Sequence, residues 1–160
     1  MTPRLARVAM VLAGGVLVLA ALGGAQPADP FVGTWTLNVA KSKYSPGPPP
    51  KSTTVTYEAA GPGYKISVKT QPASGPTGEW SYTTSLDGKD SPITGNNPNA
   101  DTIATKRIDA NTLESVSKKG GKVTVTARIV VSKDGKTRTN TQTGTNAKGE
   151  AVKNVLVFEK

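Results

Sequence analysis

The side chains that could do chemistry in this chain are limited by two residue types that it lacks. The sequence of 160 residues contains no histidine and no cysteine. Thiol nucleophiles, Ser-His-Asp catalysis and zinc sites built from His or Cys are therefore excluded, and disulfides cannot stabilise the fold. The chemistry that remains open uses carboxylates, lysine, tyrosine or serine, or a metal bound by oxygen atoms.

Carboxylates are the obvious remaining candidates for catalysis, but they form no recognisable motif. A paired-carboxylate hydrolase could be built from Glu79 and Asp101 only by arbitrary choice. Segments 87–90 and 134–136 resemble parts of calcium loops, yet neither has EF-hand spacing, and Asp-Gly is typical of a hairpin turn. We therefore predict no catalytic residue, no metal ligand and no cofactor, and we expect that the protein is not an enzyme.

Aromatic side chains suggest a different chemistry, the binding of an apolar or planar molecule. Trp80 and Tyr82 have the spacing that places them on one face of a strand, and Tyr57 shares a strand face with Val55. These aromatic residues either form a wall that contacts a ligand or pack in the core. Arg128 is the candidate contact for a polar part of the ligand, although its alternation with apolar neighbours favours an orientation towards water.

The elements that position these residues are strands joined by turns. Threonine is abundant, including every second residue from 137 to 145, and no stretch after residue 33 has helical spacing. Alternation and turn dipeptides predict nine strands. Their predicted bounds are 31–39, 53–57, 64–69, 79–86, 102–108, 112–117, 122–132, 136–143 and 151–159. A short tenth strand is suspected near Ile93, within an otherwise irregular segment 91–100.

A long antiparallel meander has two unpaired edges unless its first and last strands pair. The last predicted strand is apolar on both faces near its end, which suits a closing strand. We therefore predict an all-β, up-and-down antiparallel meander closed into a barrel of eight to ten strands, with Trp35 and Phe158 as structural residues at one end. The proline-rich segment 41–51 cannot join a ladder and is expected to be a rigid surface loop, or alternatively a peptide ligand for another domain.

The first 25 residues have the features of a secretory signal peptide. Arg4 and Arg7 give a positive start, residues 8–22 are almost wholly apolar, and Gly23-Gly24-Ala25 supplies the small residues that a signal peptidase needs. The alternative is an uncleaved membrane anchor, but this apolar run is about 15 residues long and a spanning helix needs roughly 20. We predict cleavage after Ala25.

Cleavage would leave a short leader at 26–30 and a single domain at 31–160. We expect export to a bacterial periplasm or to the extracellular space, and no stable membrane anchor after processing, because no cysteine is present to carry a lipid. The net charge of +9 falls to +7 without the two arginines of the signal peptide. Neither an Arg-rich patch nor aromatic residues interleaved with basic ones is present, so nucleic-acid binding is not expected.

Both ends of the predicted domain resemble those of known barrel proteins. The segment Phe31-Val32-Gly33-Thr34-Trp35-Thr36-Leu37 resembles the GxW opening of the calycin group, which comprises lipocalins, fatty-acid-binding proteins and avidins. The ending Val-Leu-Val-Phe-Glu-Lys at 155–160 is similar to the last strand of the fatty-acid-binding branch. The opening, continued by Asn38, also resembles small exported bacterial proteins described as lipocalin-like.

This resemblance implies roles for individual residues. Lipocalins pack an arginine over the GxW tryptophan, and Arg128 and Lys160 are the candidates here. Fatty-acid-binding proteins hold a carboxylate with an Arg-x-Tyr pair on the last strand, where this chain has alternating Val and Leu or Phe residues at 155–158. They also have a helical lid, where this chain has its proline-rich segment.

Three functions follow as hypotheses. The first is an exported lipocalin-like binding module for a small apolar or amphipathic ligand. The alternative is a structural or interaction protein of the envelope, with a filled barrel and no ligand. A carboxylate-based enzyme is the third. The sequence predicts neither the identity of a ligand nor an oligomeric state.

Overall fold

The chain folds into strands connected by turns. The computed structural model describes residues 28–160, so the predicted signal peptide and the first residues of the leader lie outside the described part. Within it, no helix is long and apolar enough to cross a membrane. The eleven strands are β1 (Gly33–Leu37), β2 (Ser52–Ala60), β3 (Gly63–Gln71), β4 (Gly78–Thr84), β5 (Asp87–Pro92), β6 (Thr94–Gly95), β7 (Thr102–Asp109), β8 (Thr112–Lys119), β9 (Lys122–Val131), β10 (Thr137–Thr145) and β11 (Ala151–Glu159).

One antiparallel sheet contains all of these strands, in the order β5-β7-β8-β9-β10-β11-β1-β2-β3-β4-β6. The first strand pairs with the last, since Leu37 lies opposite Phe158 and Thr36 lies opposite Glu159. This pairing wraps the meander into a nearly closed barrel and confirms the predicted fold class, with eleven strands where eight to ten were predicted. The remaining seam lies between the two edge strands, β5 on one side and the two-residue β6 beside β4 on the other.

The strands beside the seam differ from the prediction. The sequence predicts a turn at Asp87-Gly88, whereas Asp87 already begins β5 and the turn lies at 85–86. Leu86 takes the left-handed conformation there with a φ of 60°, and its amide donates to Thr84 Oγ1 at 3.1 Å. The expected irregular segment 91–100 is also shorter, because β5 extends to Pro92 and β6 supplies the short strand suspected near Ile93.

The core lies at the end of the barrel where β1 begins and β11 finishes, which we call the closed end. Phe31, Trp35 and Leu113 have no exposed surface, and Phe158 is also buried. Trp35 Nε1 donates to the carbonyl oxygen of Phe31 at 2.8 Å, so the only polar atom of the indole is satisfied away from water. Both residues predicted to be structural at a barrel end, Trp35 and Phe158, belong to this core.

Asp29 joins the segment before β1 to the closed end. Its Oδ2 accepts hydrogen bonds from Arg107 Nη2 at 2.8 Å and from Tyr64 Oη at 2.5 Å. Its Oδ1 accepts from the amide of Phe31 at 3.0 Å. The guanidinium carbon of Arg107 lies 5.6 Å from the ring centre of Phe31 and 5.4 Å from that of Tyr64. This group of charged and aromatic side chains covers the base of the barrel.

The proline-rich segment crosses the opposite end, which we call the mouth. Its first residues are fixed to β11 by the backbone, with Lys43 and Val155 exchanging two hydrogen bonds of 2.8 and 2.9 Å. The amide of Lys153 donates to the carbonyl oxygen of Ser45 at 2.9 Å. The segment is mostly a loop, as predicted, and forms the rim of the barrel interior. The expectation that it cannot join a ladder is wrong for its first residues, because Lys43 precedes the prolines and keeps a free amide for the bridge to β11.

Candidate ligand-binding site

The barrel interior contains a cavity of about 410 Å³, a volume within the usual range of small-molecule sites. It runs from the closed end to the mouth. Its wall comes from inward-facing positions of eight strands and combines apolar with polar side chains. The apolar side chains include Val55, Ile66, Val68, Ile103, Val125, Ile129 and Leu156. A ligand with an apolar portion would therefore find a matching surface on several sides.

Arg138 lies at the closed end of this cavity and is its most unusual lining residue. The residue is 2% exposed. Its Nη1 donates to Tyr57 Oη at 2.9 Å, while Nε and Nη2 are buried with no hydrogen-bond partner among the described residues. No carboxylate within residues 28–160 forms an ion pair with it. A positive charge with two unpartnered donor atoms is thus enclosed at the closed end of the cavity.

Aromatic rings partly compensate the buried charge of Arg138. The guanidinium carbon lies 4.0 Å from the ring centre of Phe158, 5.4 Å from that of Tyr57 and 5.9 Å from that of Trp35. Cations over aromatic faces are attracted by the ring quadrupole, but a ring cannot accept the in-plane hydrogen bonds of a guanidinium. The in-plane edge formed by Nε and Nη2 therefore remains free.

Strand alternation explains why the arginine points inwards. The threonines at every second position of β10 occupy its outer face, so the intervening residues face the cavity. Those residues are Arg138, Asn140 and Gln142, and all three line it. Gln142 Oε1 accepts from Asn154 Nδ2 at 3.1 Å. A polar stripe thus runs from the closed end towards the mouth along β10.

The three aromatic residues predicted as ligand contacts are all brought to this cavity. Trp80 and Tyr82 stack with ring centres 6.0 Å apart and an interplanar angle of 17°. Burial is the main reason why the pKa of Tyr82 is raised, and its Oη lies 3.3 Å from Thr105 Oγ1. Tyr57 packs edge-on against Tyr64 at 5.5 Å. These residues belong to the core and line the cavity, so both roles considered for them coexist.

Arg128, the fourth predicted contact, is not brought to the cavity. Its side chain lies on the outer face of β9 with 53% of its surface exposed, and its Nη1 donates to Glu114 Oε1 at 2.7 Å. It faces water because its position alternates with the inward-facing Ala127 and Ile129. Of the two candidates to pack over Trp35, Lys160 does so, with Nζ 4.6 Å from the ring centre.

Tyr44 and two prolines of the rim, Pro48 and Pro50, line the mouth side of the cavity. Burial raises the pKa of Tyr44 to about 12. Asn99, from the loop before β7, also lines the cavity and connects neighbouring loops, since its carbonyl oxygen accepts from Thr124 Oγ1 at 2.9 Å. The mouth is therefore shaped by loops that are hydrogen-bonded to the strands.

The residues that sequence reasoning missed are those of the polar stripe, above all Arg138. A signal was available, because threonines alternating along β10 occupy one face and leave the arginine to the other. The carboxylates considered for catalysis are occupied elsewhere: Glu79 pairs with Lys69 at 2.7 Å, and Asp101 Oδ2 accepts from the amide of Gly120 at 2.8 Å. Among residues 28–160, no cluster of three or more acidic side chains could hold a metal ion.

The nearly closed, all-strand antiparallel barrel is compatible with a calycin-like fold. No family model matches the chain, and neither a curated protein nor a solved structure gives a significant match to it.

Proposed function

We propose that this protein is an exported, calycin-like binding protein that holds a small amphipathic molecule with a carboxylate group inside its barrel. The observation that carries the proposal is Arg138, a buried arginine without a counter-charge at the closed end of a partly apolar cavity. Export is supported by the features of residues 1–25, and calycin membership by the GxW opening together with the barrel.

The free edge of Arg138 fits a carboxylate. Nε and Nη2 form one edge of the planar guanidinium, and that pair donates two parallel hydrogen bonds to the two oxygens of a carboxylate. Tyr57 Oη accepts from Nη1, so it holds the other end of the guanidinium and leaves the Nε–Nη2 edge to the ligand. Tyr57 from β2 would thus orient the arginine of β10, and the arginine would hold the carboxylate.

Energetics favour an anionic occupant. An ion buried without its partner costs several kcal/mol, even after the protein relaxes around it. Rings such as Phe158 offset about 2 kcal/mol of that cost. A ligand carboxylate would remove the remainder, and its apolar portion would extend along Val55, Ile66 and Leu156 towards the mouth.

The alternative of a filled barrel with a working outer surface has less support. Side chains leave about 410 Å³ unoccupied inside the barrel, and the unpaired arginine lines that space. We propose binding rather than catalysis, in line with the absence of histidine and cysteine from the sequence.

Calorimetric titration with matched ligands tests the proposal. A medium-chain carboxylic acid is compared with the primary alcohol of the same length. We expect the acid to bind about 10- to 100-fold more tightly, the factor that hydrogen bonds to a charged group provide. Arg138→Met should abolish this difference, and Arg128→Met, which alters an exposed arginine, should retain it. Equal binding of acid and alcohol, or no binding of either, would overturn the proposal.

A further inference from the structure

A second residue that lines the cavity also has a buried atom without a partner. Asn140 Oδ1 is buried and accepts no hydrogen bond from any described residue. Asn140 follows Arg138 by two positions on β10 and lines the same cavity, so their Cα atoms are about 7 Å apart along the strand. A buried oxygen of this kind is normally paired with a donor.

The surrounding strands do not supply that donor. Asn140 lies opposite Leu156 on β11 and Ile129 on β9, and both of these side chains are apolar and buried. The next inward residue towards the mouth, Gln142, already interacts with Asn154. No donor among residues 28–160 pairs with this oxygen, and the cavity is the space beside Asn140 that another molecule can enter.

The two unpartnered sites have opposite requirements. Arg138 offers donors and needs an anion, whereas Asn140 Oδ1 offers an acceptor and needs an O–H or N–H group. The wall around them includes apolar side chains, with Val55 and Ile129 among the lining residues. A plain alkyl chain clamped at Arg138 would satisfy the first site and leave the second unpaired.

We propose that the ligand carries, besides its carboxylate, a hydrogen-bond donor on its chain that Asn140 Oδ1 accepts. This inference rests on the function proposed above and specifies its ligand class: an acyl chain bearing a hydroxyl or an amide N–H, rather than an unsubstituted fatty acid. Asn140 is the residue that selects this class of ligand. Arg138 holds the carboxylate, and this fixes how far along the chain the donor must lie to reach Asn140.

Sets of medium-chain acids of one length, titrated by calorimetry, test this selection. One set carries a hydroxyl at successive chain positions, a second carries an amide N–H at those positions, and a third carries a ketone, which only accepts hydrogen bonds. The expected result is that one donor-bearing isomer binds about 5- to 10-fold more tightly than the unsubstituted acid, as one net hydrogen bond provides. The ketone at the same position should bind no more tightly than the unsubstituted acid.

Variants of β10 assign the effect to one residue. Asn140→Leu keeps the branching and the number of heavy atoms of the side chain and should erase the preference while retaining the unsubstituted acid. Thr141→Val is the matched control, because it changes an exposed, outward-facing residue of the same strand and should keep the preference. Thermal unfolding of both variants establishes that each is folded before titration.

The outcomes separate this inference from the proposed function. Suppose that acids bind through Arg138 but every donor-bearing isomer has the same affinity as the unsubstituted acid. Water then occupies the Asn140 site, and only the present inference fails. A preference for the ketone would overturn it as well, since the amide nitrogen would then face the ligand. If no acid binds, the proposed function and this inference fail together.

Discussion

Replacing Arg138 with methionine should make the ligand-free protein more stable while removing its affinity for anions. Methionine retains an unbranched apolar stem but lacks the guanidinium, which is the part of Arg138 that contacts Phe158. What the substitution removes is a positive charge that is 2% exposed and faces no carboxylate in the described part of the chain.

The expected size of the effect follows from the contacts of Arg138. The variant loses one hydrogen bond to Tyr57, worth about 1.5–3 kcal/mol for a charged donor. It also loses the contact of the guanidinium with Phe158 at 4.0 Å, worth about 2 kcal/mol. In return it relieves the burial of an unpaired ion and of two unpartnered donors, several kcal/mol in all. We expect the free energy of unfolding to rise by about 1–3 kcal/mol, within the range seen for buried ions replaced by apolar residues.

Urea titration of purified, ligand-free protein measures this change, and thermal unfolding should show a midpoint that is roughly 3–10 °C higher. Arg128→Met is the control, because Arg128 and Glu114 form an ion pair whose side chains are 53% and 50% exposed. Its effect should stay within about 0.5 kcal/mol.

The opposite result would refute the reasoning. If Arg138→Met loses more than about 1 kcal/mol with an unchanged denaturant slope, the arginine is a structural support of the closed end. Its aromatic contacts with Trp35, Tyr57 and Phe158 would then outweigh the cost of its burial, and the argument for an anionic ligand would lose its basis.

Three further predictions test the packing of the barrel. Burial raises the pKa of Tyr44 from 10.0 to about 12, so the unfolded chain loses the phenolic proton at a lower pH than the folded protein does. The free energy of unfolding should therefore fall as pH rises above 10. Urea titrations at about pH 9 and pH 11 measure this fall, and Tyr44→Phe should make it smaller. Asp29→Asn should lower the free energy of unfolding by about 1–3 kcal/mol because it weakens charge-assisted hydrogen bonds from Arg107 and Tyr64, and a shift below 0.5 kcal/mol in a urea titration would contradict this. Gly63→Ala should unfold the protein or cost more than about 3 kcal/mol, since the new Cβ would lie 1.9 Å from the carbonyl oxygen of Thr84. Gly61→Ala, which has free space, should cost only about 1–2 kcal/mol for its left-handed backbone, and thermal unfolding compares the two.

The sequence was sufficient for the fold class because alternation and turn residues are local signals. Asp134-Gly135 and the glycines near residue 120 ended strands where expected, and the apolar ending at 155–158 correctly indicated a strand that pairs with β1. The turn before β5 was missed because a leucine, not a glycine, takes the positive φ there. Leucine rarely takes a positive φ, so its conformational preference does not predict a turn at this position.

The candidate site was only partly predictable, for a different reason. Spacing placed Trp80 and Tyr82 on one face, and the structure has that face inside the barrel. Which face of a polar strand such as β10 is inside depends on its register with β9 and β11, and that register is not a local property. Arg138 was therefore left unremarked, and Arg128 was considered in its place.

The seam between the edge strands β5 and β6 makes the local stability of the barrel uneven. A fully hydrogen-bonded barrel would have to break backbone hydrogen bonds wherever it opened, whereas this barrel can separate along a line that has no such ladder in the described sheet. Amide hydrogen exchange should consequently be fastest in β5 and β6 and slowest around β10, β11 and β1. The wall opposite the seam, which holds Arg138, is then the rigid half of the molecule, and the half beside the seam can open without disturbing it.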